Sequence, residues 1–401
     1  MCHYTIFEKI CRVCKTCVTS TRSLTSCNLV SRHEDKKYCP KLGKATSKTT
    51  TTFKDCQICR IALEQKRQSR LETKKQLPKI AIIATGGTIT AKGVLSTDTT
   101  NYDVGAFGVE DVIKGIRSFW SGKAEVVIST PFTLDSINLG LRHKISLYGA
   151  IMALMDDKDI MGICVLIGTD EMAATANFED VVIPDGPRKR IAFTGAMRPH
   201  TALSADGPGN VVAAVNTLLD LSWTGVVMVM NDKIMRPKGT QKVRNRFEYR
   251  PGAFLGEITN FEPRLGQTGS LNFPTHIDIS SLSQEDMDAG FPEGVMIPVT
   301  ADCNAIQLID AAVSIGAKVI LIEAYSTGWL PDDVRGKIAE FANRDDLVIV
   351  VTSRHCSATV ETTGVEGLIP GGDWMPDQLL PILRLLVRLG YTKEGIQSKI
   401  H

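Results

Sequence analysis

The sequence predicts an α/β protein with two α/β domains, a larger N-terminal one carrying a mainly parallel sheet and a smaller C-terminal one. Three observations carry this. Short apolar, β-branched runs recur from Lys79 to Thr352, each of a length suited to a strand buried on both faces. Helix-length segments separate many of them, and such alternation implies parallel strands joined by crossover helices. The chain is 43% apolar and 22% charged over 401 residues, the balance of a globular protein.

The first 78 residues differ from the rest. They hold 17 Lys and Arg against 6 Asp and Glu, whereas the remainder holds 29 against 38. Eight of the 11 cysteines lie before residue 60. Cys11-x-x-Cys14-x-x-Cys17 and Cys56-x-x-Cys59, with Cys27 and Cys39 between, have the spacing of thiolate zinc ligands. The lysine excess would suit phosphate contacts. The tract Ala45 to Thr52 and the basic stretch Gln65 to Lys75 lack sustained apolar periodicity. The reading adopted is therefore a poorly ordered, Cys-rich basic extension over 1–78 with a short helix around 58–73. Zinc ranks below that reading, and nucleic acid below zinc. Met1 to Cys17 is broken by Glu8, Lys9, Arg12 and Lys15, unlike a secretory signal. No apolar run approaches the roughly 18 residues of a membrane span. Cys164, Cys303 and Cys356 are scattered, which fits a reducing cytoplasm.

From Lys79 the expected strands are 79–84, 162–167, 190–194, 225–230, 295–299, 319–323 and 347–352. Expected helices include 142–155 and 210–221. A larger domain spans 79–268, the polar stretch 269–293 connects, and a smaller domain spans 294–401. Polar chemistry in such sheets gathers at loops beyond the carboxyl ends of strands. That rule points to Thr85–Thr88, Gly168–Asp170, Gly195–Pro199 and the segment after Met230.

Each loop has a bland reading of its own. Thr85-Gly86-Gly87-Thr88 could be a plain turn; it has neither the dinucleotide nor the phosphate-loop pattern. Thr169 or Asp170 could simply cap a helix starting near Glu171, the better reading of that loop alone. Asp206 in Ser204-Ala205-Asp206-Gly207-Pro208 could hold backbone amides. Lys242 alone would be a solvated charge. Taken together they offer more. A threonine hydroxyl is a weak nucleophile and needs an adjacent base or cation. The seven histidines show no metal spacing such as H-E-x-x-H, so no metal or cofactor is expected. A Thr–Lys–Asp arrangement is the economical way to activate a hydroxyl here.

These stretches, in this order and spacing, resemble the bacterial-type L-asparaginase/glutaminase family over about residues 79–401. The resemblance rests on Ile82-Ile83-Ala84-Thr85-Gly86-Gly87-Thr88-Ile89, Gly168-Thr169-Asp170-Glu171-Met172 with Thr175-Ala176, Gly195-Ala196-Met197-Arg198-Pro199, Ser204-Ala205-Asp206-Gly207-Pro208, and Asn231-Asp232 with Lys242 ten residues later. It implies that the smaller domain is flavodoxin-like. It implies an amidohydrolase that converts L-asparagine to L-aspartate and ammonia through an acyl-enzyme, with L-glutamine the alternative substrate. Thr88 matches the nucleophile, and Tyr102 the lid-loop tyrosine that assists it. Thr169, Asp170 and Lys242 match the second catalytic group. Asp170 also matches the carboxylate that holds the substrate α-ammonium, and Ser136 the serine that binds the α-carboxylate. The Ala196 carbonyl matches a contact to the departing amide. Asn304 is read as the asparagine that reaches a neighbouring subunit's site. Family members are usually tetramers with sites at a dimer interface, so a homo-oligomer is expected.

The chain departs from the family where Leu166-Ile167 replaces Thr-His and where Val243-Arg244-Asn245-Arg246 replaces a small polar pair. Two rivals share the scaffold: an amidotransferase subunit, and an inactive scaffold with a nucleic-acid-binding extension. The joint presence of Thr88, Thr169, Asp170 and Lys242 argues against the second.

Overall fold

The computed structural model describes residues 77–103, 105–184, 189–266, 269–271, 276–355 and 357–401. The Cys-rich extension, with its expected helix around 58–73 and its zinc and nucleic-acid readings, lies outside these.

The larger sheet begins with β1 (Lys79–Ala84). A small antiparallel hairpin follows, β2 (Lys92–Gly93) and β3 (Tyr102–Asp103). Then come α1 (Val109–Ile116), β4 (Glu125–Ser129), α2 (Leu141–Asp156), β5 (Ile160–Leu166), α3 (Met172–Val182), β6 (Arg190–Thr194), α4 (Gly207–Leu219) and β7 (Trp223–Met230). The strands β4-β1-β5-β6-β7 pair in that order, all parallel. The order places β5 in the middle of these five strands, with β1 beside it.

Beyond β7 the direction reverses. Asn231 and Asp232 take φ of 53° and 58° in the turn to β8 (Lys233–Met235), left-handed angles that Asn and Asp tolerate better than most residues. A separate hairpin, β9 (Thr240–Val243) and β10 (Arg246–Tyr249), comes next. It is followed by β11 (Phe254–Thr259) and β12 (Glu262–Leu265), which extend the sheet antiparallel past β8. The short β13 (Gly269–Ser270) pairs with β7.

The apolar strands are buried on both faces. Along β1, Ile80 and Ile82 enter one core cluster while Ala81 and Ile83 enter the other. Val227 and Val229 of β7 join the first cluster, and Val226 and Met228 the second. That period of two, with helices on each face, explains the unbroken apolar runs. β4 was not foreseen: as the edge strand it alternates exposed and half-buried positions and lacks such a run.

The C-terminal region contains α5 (Gln284–Ala289), β14 (Gly294–Pro298), α6 (Ala305–Ser314), β15 (Val319–Ala324), α7 (Asp332–Ala339), β16 (Val348–Ser353), β17 (Ile369–Pro370), α8 (Pro376–Arg388) and α9 (Lys393–Ile400). Its four strands are parallel and sequential, β14-β15-β16-β17. The connection is more structured than a polar spacer. Ser283 and Asp286 form a reciprocal capping box on α5. Ile277 and Ile279 are buried with Val181 and Val182 of α3, Val319 and Leu321 of β15, and Leu379 of α8. One core thus joins α3 to the smaller sheet. Among the described residues no helix is long and apolar enough to cross a membrane.

Candidate active site

Thr88 follows β1 through two glycines at φ +102° and +90°. Both angles belong to the region that only glycine enters freely. Close approach demands glycine as well. A Cβ on Gly86 would stand 2.7 Å from the Leu134 carbonyl, and one on Gly87 would stand 2.5 Å from the Gly168 Cα. The loop after β1 therefore lies backbone to backbone against the loop after β5. Thr88 opens a single 3-10 turn, Thr88–Thr90, and its Oγ1 shares a 3.0 Å hydrogen bond with the Tyr102 hydroxyl. Tyr102 reaches it from β3, in the hairpin facing Gly93.

The loop after β5 carries Thr169, which is buried, and Asp170, which is exposed. Neither caps α3. The helix starts at Met172, its N-cap is Glu171, and no side chain caps it. The capping reading fails because Lys242 holds both residues instead. Its Nζ donates to Thr169 Oγ1 at 2.7 Å and to Asp170 Oδ1 at 2.9 Å. Both are short, charge-assisted contacts. Lys242 lies on β9, across from Phe247 of β10. Arg244 turns the hairpin at φ 57°, and Arg246 pairs with Glu248 at 2.6 Å. Ile167, where the family pattern has His, is buried in a core cluster with Phe193 and Met228.

Ser136 starts a 3-10 turn, Ser136–Asn138, beside Gly168. A Cβ on Gly168 would stand 2.5 Å from Ser136 Oγ. That hydroxyl is buried and has no hydrogen-bond partner among the described residues. Ala196 lies in the loop after β6, packed near Gly207 and, through it, Ile89, the residue after Thr88. Asp206 does hold backbone amides. Its carboxylate accepts from Met197 N at 3.0 and 3.1 Å and from Arg198 N at 2.9 Å. The fold thus brings Thr88, Tyr102, Ser136, Thr169, Asp170, Ala196 and Lys242 to one end of the larger sheet. Asn304 stands apart, exposed at the start of α6 in the smaller sheet's unit, and its side chain makes no cap hydrogen bond.

Sequence reasoning missed the polar layer behind Asp170. Lys144 of α2 is 2% exposed, and its Nζ donates to Glu171 Oε2 at 2.8 Å and Thr175 Oγ1 at 2.9 Å. The signal was present: Lys144 occupies the apolar stripe of Leu141, Leu147 and Ile151, where a charge needs a buried partner. Glu179, two turns beyond Glu171 on α3, is fully buried, and desolvation holds its carboxyl well above the ordinary value.

The chemistry available is that of two hydroxyls on touching loops. One is bonded to a phenol and the other to an ammonium. Among the described residues no group of three or more His, Cys, Asp or Glu could hold a metal ion.

Comparison with known proteins supplies the context. A family profile described as asparaginase, N-terminal, matches residues 79–262. The chain is 30% identical to L-asparaginase 2-3 of Saccharomyces cerevisiae over 344 residues, covering 82% of this chain and 91% of that protein. It is 29% identical to L-asparaginase 2 of Bacillus subtilis, covering 82% of this chain and 86% of that protein. A crystal structure of a probable cytoplasmic L-asparaginase from Campylobacter jejuni superposes with a TM-score of 0.71 at 25% identity, covering 80% of this chain and 98% of that one.

Proposed function

The chain belongs to the asparaginase family, amidohydrolases by name, and on that premise we propose that it hydrolyses L-asparagine to L-aspartate and ammonia with Thr88 as nucleophile. The observation that carries the proposal is the pair of hydroxyl contacts, Thr88 to Tyr102 at 3.0 Å and Lys242 to Thr169 at 2.7 Å, on loops in backbone contact.

In the first half-reaction Thr88 Oγ1 attacks the side-chain amide carbon, and its proton passes through the Tyr102 hydroxyl towards the leaving nitrogen. The C–N bond breaks, ammonia departs and an aspartyl ester remains on Thr88. In the second, water attacks that ester. Lys242 polarises the Thr169 hydroxyl, which assists the water, and the C–O bond breaks to restore Thr88 and release aspartate. Backbone N–H groups near Gly87 and Thr169 meet the charge that develops on oxygen. Asp170 takes the substrate ammonium, the unpartnered Ser136 hydroxyl takes its carboxylate, and the Ala196 carbonyl contacts the departing amide. The hairpin bearing Tyr102 acts as the lid that excludes water.

We assign residues 79–268 and 294–401 to two domains, with Asn304 reaching the site of a neighbouring copy in a homo-oligomer, and place the enzyme in the cytoplasm. Glutamine, one methylene longer, is the competing substrate, a difference worth about 1–3 kcal/mol.

Ammonia release from each amide by the purified protein tests the reaction. Turnover of asparagine is expected, with an acid-quenched aspartyl adduct on the Thr88 peptide and a loss of roughly a thousandfold or more in Thr88→Ala. Full activity of Thr88→Ala would remove the nucleophile assignment.

A further inference from the structure

We propose that Gln378, in the first turn of α8, is a positioning residue for Lys242, so that the C-terminal region sets the geometry of the catalytic cation. The inference rests on the reading above that Lys242 serves the second catalytic group.

Among the described residues, the hairpin β9–β10 is not a member of the larger sheet, and its strands pair with each other alone. Ladder hydrogen bonds from the sheet therefore do not fix where Lys242 stands. Other contacts must: Phe247, paired with Lys242, is buried in the larger sheet's core and donates its N–H to Asn231 Oδ1 at 3.0 Å, and a second set of contacts comes from residues 358–378. Gln378 is fully buried and commits its whole amide to the segment leading into β9. Its Nε2 donates to Pro237 O at 3.0 Å and to Thr240 O at 2.9 Å, and its Oε1 accepts from Gly239 N at 3.4 Å. Thr240 is two residues before Lys242. Around this clasp, Lys238 Nζ lies 4.4 Å from the Trp374 ring centroid and 2.7 Å from Asp373 Oδ1. Arg250, which follows β10, donates to the carbonyls of Asp373 and Ala358.

A neutral amide suits this place. It has both donors and an acceptor, matching two carbonyls and one N–H, and it adds no charge beside Lys242. Removing it takes one donor from the Thr240 carbonyl and the acceptor from the Gly239 N–H, while the Pro237 carbonyl keeps the Thr240 N–H, and the segment is freed to move. Lys242 holds Thr169 and Asp170 at 2.7 and 2.9 Å, and a shift of about 1 Å at such a contact is enough to slow chemistry by one to two orders of magnitude. Asp170 and Ser136 stay on the larger sheet, so substrate binding is expected to suffer less than the chemical step.

The test uses the full chain with Gln378→Met, close in length but without hydrogen bonds. Wild-type turnover of asparagine is measured first, so that failure of the proposed reaction is seen separately. With the wild type active, Gln378→Met is expected to lower kcat roughly tenfold and to leave KM within about twofold. In a Lys242→Arg background, where the single-nitrogen geometry is already lost, the same change should cost less than about twofold. An equal loss in both backgrounds, or full kcat in the variant, overturns the proposal. If Gln378→Met does not fold, Gln378→Asn, which stays neutral and keeps the amide but is one methylene too short to hold the same carbonyls, is read in the same way. Amide hydrogen exchange over residues 238–246 reads the anchoring without turnover. Faster exchange supports the clasp, and unchanged exchange overturns it even where neither amide is hydrolysed.

Discussion

Glu179→Gln should stabilise the protein increasingly as pH rises. Glu179 lies on α3 with no exposure, and neither carboxylate oxygen has a hydrogen-bond partner among the described residues. The cation that acts on it is Lys144, whose Nζ is bonded to Glu171 and Thr175. Desolvation raises the carboxyl well above its ordinary 4.5, and Lys144 opposes that shift only in part. The folded state therefore keeps a proton that the unfolded chain releases above pH 4.5. Stability is intact below that value and is lost as pH climbs towards the folded pKa. One proton sets the slope, about 1.4 kcal/mol for each pH unit inside the window. Glutamine fills the same volume and cannot ionise, so it escapes the loss. The melting points of variant and wild type should differ by a constant offset near pH 4 and then part by roughly 2 °C per pH unit within the window. Circular dichroism melts from pH 4 to 8 read this directly. A pH-independent difference, or a variant that falls below wild type only as pH rises, would refute the reasoning; the latter would mean that Glu179 is ionised and paired with Lys144.

Three further outcomes are expected. Tyr102→Phe removes the 3.0 Å contact to Thr88 and should lower kcat for asparagine roughly a hundredfold; an unchanged kcat would detach Tyr102 from the reaction. Lys144→Met strands Glu171 and Thr175 and should cost about 3 kcal/mol in urea unfolding, the low end for a buried pair because the Glu171 side chain is 35% exposed. An unshifted midpoint would show that the pair contributes nothing. Asp206→Ala unties Met197 N, Arg198 N and the Asn210 side chain and should cost about 1–3 kcal/mol, measured by the same unfolding.

How much of this was legible in the chain follows from range. The strands 79–84 and 190–194 and the core of α2 could be read because burial on both faces writes a continuous apolar run, and helix crossovers separate such runs locally. β4 escaped because an edge strand needs no such run. The antiparallel extension through β8, β11 and β12 escaped for a related reason: partly exposed strands such as β12 carry little apolar signal. The loops at Thr88, Thr169, Asp206 and Lys242 stood out as motifs, since glycine, hydroxyl and charge types are fixed position by position.

Amino-acid order alone thus determined the α/β class, the strand ends that bear polar residues, and the family those residues resemble. Tertiary structure decided which of them meet. That Lys242 crosses 73 residues of sequence to bond Thr169 rather than leave it as a helix cap is a fact of loop packing. The same holds for Gly87 against Gly168, for Lys144 behind Asp170 and for Gln378 beneath the Lys242 hairpin. Local sequence can encode propensity and periodicity, but contacts between distant segments are set by the sheet order and the shared cores that bring them together.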